Sequence, residues 1–96
     1  MTDAIPELEA TLLRRKQAPT PESYTARLLA AGEDEIVKKV GEEAVEVILA
    51  AKGQGDQRVI EESADLVYHL LVLLVSRDLS WSDVQTELEK RKASRG

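Results

Sequence analysis

The 96-residue chain has no cysteine and no phenylalanine, one tryptophan, one histidine, two tyrosines, three prolines and five glycines. Without cysteine there is no disulfide framework, no thiolate zinc site and no thiol nucleophile. With aromatics at 3%, the core must be built from Leu, Val, Ile and Ala, which suits helix packed on helix. An excess of positive charge is also missing: 13 basic residues against 18 acidic ones leave a net charge of −5. That argues against a nucleic-acid binder, because phosphate contacts require a basic surface. The longest uninterrupted apolar run, Leu70 to Val75, falls far short of the roughly 20 residues that cross a bilayer, so no membrane partner is expected. The N-terminal stretch MTDAIPELEA lacks the basic-then-apolar pattern of a signal peptide, which makes a cytoplasmic location the expectation. What is present, 43% apolar and 32% charged residues, is too apolar for intrinsic disorder. The length predicts one domain over residues 1–96.

The few prolines and glycines punctuate an all-α chain of about five helices. Asp3 to Pro6 can open a first helix, with Leu8, Leu12 and Leu13 on one side and Arg14, Arg15 and Lys16 at its dipole-favoured end. APTPES at 18–23 is a turn, because two prolines separated by one residue cannot continue a helix. Ser23 or Thr20 caps a short second helix that carries Tyr24, Leu28 and Leu29 and stops near Gly32. A third helix is predicted from about Asp34 to Lys52, with KGQGD at 52–56 ending it, and a fourth from about Gln57 to Arg77. Ser80 caps a fifth that carries Trp81, Val84 and Leu88. Two long helices joined by a short loop predict a central antiparallel pair.

Two acidic stretches, GEEAVEV at 41–47 and EESAD at 61–65, stand beside the most apolar segments. Each sets like charges one turn apart (Glu42 and Glu46, Glu61 and Asp65), which repel on a bare helix. On a wheel at about 100° per residue with Ile36 at zero, the apolar stripe of Ile36, Val37, Val40, Ala44, Val47, Ile48 and Ala51 covers about 0–120°. Glu42, Glu46 and Glu43 fall near about 240°, 280° and 340°, with Lys39 among them. Val45 and Leu49 occupy a further side, so this helix is apolar on more than one flank. On the fourth helix, Glu62, Asp65, His69 and Ser76 share an arc of about 60° in an otherwise apolar surround. An antiparallel pair sets Glu43 and Glu46 opposite Glu62 and Asp65. Four converging carboxylates form a hard-oxygen donor set that suits Mg²⁺ or Mn²⁺.

A plainer reading stands beside this one. Lys38 with Glu42 and Lys39 with Glu43 are i,i+4 pairs, and Glu-rich helices are common solvated faces. Lys39 is either salt-bridged to Glu43 or Glu46 or free to meet a phosphate. His69 is expected as a satisfied structural histidine or as a support for Asp65, four residues away, ahead of direct metal ligation.

Glu43-x-x-Glu46 followed by Glu62-x-x-Asp65 resembles the ExxE…ExxD signature of the all-α NTP pyrophosphohydrolase superfamily, which includes MazG-type and dimeric dUTPase enzymes. SYTARLLAAG at 23–32, IVKKVGEEAVEVILAAK at 36–52 and EESADLVYHLLVLL at 61–74 resemble the phosphoribosyl-ATP pyrophosphatases of histidine biosynthesis, in their stand-alone form. The resemblance implies hydrolysis of phosphoribosyl-ATP to phosphoribosyl-AMP and pyrophosphate. It also implies that Glu43, Glu46, Glu62 and Asp65 hold Mg²⁺ on the phosphates, with Mn²⁺ as the alternative ion. Glu42, outside the motif but beside it, is the candidate to orient or deprotonate the attacking water, which groups it with Glu43 as catalytic. Lys39, Lys38, Arg27 and Lys52 are the candidates to neutralise phosphate charge. Ser23 and Tyr24 either touch the nucleotide or cap and pack the second helix. Relatives of this kind are homodimers or larger homo-oligomers, consistent with apolar flanks that one short chain could hardly cover. Two other readings remain: a housekeeping pyrophosphohydrolase acting on (d)NTPs, and a non-catalytic helical dimerisation module.

Overall fold

The structure, a computed structural model, describes residues 3–95. Five helices follow the proline and glycine punctuation: α1 (Ala4–Gln17), α2 (Tyr24–Ala31), α3 (Glu33–Gly53), α4 (Asp56–Ser76) and α5 (Trp81–Arg95), with no strand among the described residues. The chain is all-α, as its composition predicts. Ser23, rather than Thr20, caps α2, its hydroxyl accepting from the Ala26 amide at 3.1 Å. Gly32 alone separates α2 from α3, and Gly55 closes the turn into α4; their φ angles of 99° and 91° lie in the region that side chains disfavour. Ser80 and Asp83 form a reciprocal cap at the head of α5. The Asp83 amide donates to Ser80 Oγ at 3.3 Å, and the Ser80 amide donates to Asp83 Oδ2 at 2.9 Å.

The core is confined to one end of the molecule. Leu12 from α1, Leu28 from α2, Ile36 from the first turn of α3 and Leu71, Val72 and Val75 from the last turns of α4 are buried together, with Trp81 of α5 packed against them. Polar ties close this end. Lys16 Nζ donates to the Val75 carbonyl at 2.9 Å and to Asp78 Oδ1 at 2.7 Å. Arg77 bridges to Glu33 at 2.7 Å, and the Trp81 amide donates to Glu9 Oε2 at 2.7 Å.

Beyond the core, α3 and α4 run on as an antiparallel pair that no other helix covers on all sides, and few side chains there are buried. The apolar stripe expected on α3 is therefore only partly covered. Ile36 is buried, but Val37 is 45% and Ile48 60% exposed, and Ala51 is exposed as well. The side that meets α4 is centred on Ile36 and Ala50 and takes in half-buried Lys39, Glu43 and Glu46. The carboxylate edge of α3, rather than the middle of its apolar stripe, lies against its neighbour. The radius of gyration, 14.7 Å, exceeds the roughly 13 Å of a compact chain of this size. No helix among the described residues is long and apolar enough to cross a membrane.

Candidate active site

Where the α3–α4 pair leaves the core, Glu43 from α3 meets Glu62 and Asp65 from α4. The three can each offer a carboxylate oxygen, all within 4.8 Å of one another. Their settings differ: Glu62 is buried, Glu43 half-buried and Asp65 exposed. Antiparallel packing about the Gln54-Gly55 turn produces this registry, the same one that the spacing of the two acidic stretches predicts. Glu46, one turn farther along α3, is half-buried and stands outside the close trio.

Glu62 has a partner that sequence reasoning missed. Arg58 spreads its guanidinium over two carboxylates, with one terminal nitrogen on Glu61 and the other on Glu62. Glu61 sits below the usual carboxylate range chiefly because Arg58, and then Gln57, donate hydrogen bonds to it. Arg58 is held above its ordinary value by the same bond to Glu61 and by the charge of Glu62. A signal was available: Arg58 is three residues before Glu61 and four before Glu62, on the same arc as Asp65 and His69.

His69 is buried and doubly satisfied. Nδ1 lies 2.8 Å from the backbone carbonyl of Asp65, and Nε2 lies 3.0 Å from the Tyr24 hydroxyl. A carbonyl only accepts, so Nδ1 carries the proton, and in the neutral ring Nε2 accepts from the tyrosine. His69 thus supports the backbone of Asp65 rather than its carboxylate, and it ties α4 to α2. Thr25 and Tyr68 are hydrogen-bonded through their hydroxyls across the same seam. Burial pushes the Tyr24 phenol up, with Lys39 opposing and Tyr68, Glu43 and Glu35 adding to the rise. Tyr24 therefore feels the charges of the site and is itself 42% exposed, while Ser23 caps α2.

The basic residues are dispersed. Lys39 pairs with Glu42 at 3.4 Å, instead of with Glu43 or Glu46, because Glu43 is turned toward α4. That pairing is the main reason its ammonium is held above the usual lysine range. Arg27 donates to the Pro21 carbonyl at 2.9 Å. Lys38 and Lys52 are exposed, and Lys52 falls about 180° around α3 from Glu43.

The phosphoribosyl-ATP pyrophosphohydrolase family model matches residues 5–92, which takes in every helix that builds this site. The chain belongs to that family. Curated relatives align with it over most of their lengths. A phosphoribosyl-ATP pyrophosphatase of Pyrobaculum aerophilum is 56% identical over 85 residues, covering 88% of this chain and 90% of the relative. One of Pyrobaculum neutrophilum is 54% identical over 89 residues, covering 93% and 95%. One of Trichlorobacter lovleyi is 51% identical over 90 residues, covering 94% and 83%. The matched residues take in both acidic stretches, Glu43 to Glu46 and Glu62 to Asp65.

Proposed function

We propose that this chain hydrolyses phosphoribosyl-ATP between its α and β phosphorus atoms, releasing phosphoribosyl-AMP and pyrophosphate, the second step of histidine biosynthesis. It would do so as a single-domain, cytoplasmic homodimer or larger homo-oligomer. The observation that carries the reading is the approach of Glu43, Glu62 and Asp65 to within 4.8 Å, from two helices, in a chain matched by the family over residues 5–92.

The donor set fits a hard divalent cation. It has carboxylate oxygens only, with no thiolate, and its one nearby imidazole is engaged at both nitrogens. Glu43, Glu62 and Asp65, joined by Glu46, would hold Mg²⁺ or Mn²⁺, which when bound supplies charge neutralisation and polarises phosphate and water. The remaining work falls to the chain. Glu42 orients the attacking water and accepts its proton, with the Lys39 ammonium 3.4 Å from its carboxylate. Lys39 also offers positive charge to the phosphates. Arg27 and Lys38 act at longer range, and Lys52 is the least supported of the four because it points to the far side of α3.

Pyrophosphate release from phosphoribosyl-ATP, assayed with and without Mg²⁺ and against a panel of dNTPs, tests the reading. Wild type should turn over phosphoribosyl-ATP only with the metal, and Glu43→Gln should lose about 100-fold or more. Unchanged turnover in that variant, or activity confined to dNTPs, would overturn it.

A further inference from the structure

Arg58 has no part in the catalytic scheme above, yet it holds the most buried carboxylate of the site. The Glu62 side chain is 8% exposed, and the Arg58 guanidinium reaches it from α4's preceding turn while its other terminal nitrogen rests on Glu61. A carboxylate this deep is costly to leave unpaired, and a forked guanidinium is the side chain best shaped to satisfy it. Arg58 occupies Oε1 of Glu62, and an oxygen of that same carboxylate lies within 4.8 Å of oxygens of Glu43 and Asp65. Two cations cannot share that carboxylate without repelling each other. Arg58 itself is 47% exposed, so it can move aside.

We propose that Arg58 is a resident counter-cation of the carboxylate site, which a divalent metal must displace from Glu62 in order to bind. This rests on the metal reading of Glu43, Glu62 and Asp65 given above. Glu61 gives the mechanism its second half. It lies outside the carboxylate trio and keeps its own hydrogen bond to the guanidinium, so release from Glu62 leaves Arg58 tethered at the rim of the site. The ion pair thereby protects a buried charge and sets a threshold on metal affinity.

Calorimetric titration of the full chain with Mn²⁺ and with Mg²⁺, without nucleotide, tests this on wild type, Arg58→Gln and Arg58→Lys. Arg58→Gln should bind about 5-fold more tightly than wild type. Arg58→Lys, which keeps the charge but loses the fork, should fall between them. Melting supplies a second readout: Arg58→Gln should melt lower without metal and gain a larger rise in Tm on adding it. If wild type binds metal and Arg58→Gln binds no more tightly, the Arg58 proposal falls and the carboxylate site stands. An Arg58→Lys affinity equal to wild type would reduce the effect to net charge and overturn the displacement. If none of the three proteins binds metal, the carboxylate site falls, and the Arg58 proposal with it.

Discussion

His69 shows how a residue can belong to a site without touching its chemistry. Its ring spans from the Asp65 carbonyl to the Tyr24 hydroxyl and packs edge-on against Tyr68, at 4.9 Å between ring centres. The seam between α2 and α4 therefore relies on this imidazole beside the Thr25–Tyr68 hydroxyl pair. His69→Ala removes both hydrogen bonds and opens a void, so unfolding free energy should fall by about 2 kcal/mol or more. Chemical denaturation measures that loss. At the same scale the sequence was most informative where spacing alone decides. Glu43, Glu62 and Asp65 converge because i,i+3 positions share a helical face and the loop between the helices is short. The role of Arg58 was hidden because an arginine one turn before a glutamate looks like any surface pair until the burial of Glu62 is known. The Lys39 pairing likewise turned on which of three glutamates faced α4.

At the scale of elements, the first four helices begin and end, and α5 begins, within one or two residues of the positions that capping, proline and glycine signals predict. What those signals could not supply was orientation. Periodicity located an apolar stripe on α3, yet the side that met α4 was rotated toward Lys39 and Glu43. Packing between helices is a property of both surfaces, and one wheel shows only one of them. The attachment of α5 illustrates local determinism. Ser80 and Asp83 cap it reciprocally, and Glu9 accepts from the Trp81 amide, so three oxygens answer the donors at its start. Ser80→Ala should cost about 1 kcal/mol, detectable as a lowered Tm. A Tm unchanged by the substitution would show that the Glu9 and Asp83 carboxylates suffice to secure this helix end.

For the whole molecule, the division between a packed end and a bare helical pair bears on the homo-oligomer proposal. Val45, Ile48 and Leu49 on α3 and Ile60 on α4 are each about half exposed or more. Val45, Ile48 and Leu49, spaced i, i+3 and i+4, form one apolar flank of α3 rather than a scattering of single side chains. Under the homo-oligomer proposal, a second copy covers it. Ile48→Glu should then shift the mass measured by light scattering toward the monomer, whereas a wild type that remains monomeric at micromolar concentration would sink the proposal. The carboxylate trio is built on the same two helices. Loss of assembly should therefore lower activity even though Ile48 is not among the carboxylates that meet there.

The uncovered α3–α4 pair also changes what stability means for this chain. Much of the pair's length has little hydrophobic support of its own, so under the homo-oligomer proposal the free energy that holds it derives from mass action between copies. Its melting temperature should rise with protein concentration, and its amides should exchange fastest in dilute solution, near Gly55, while those around Leu71 and Val72 report the core.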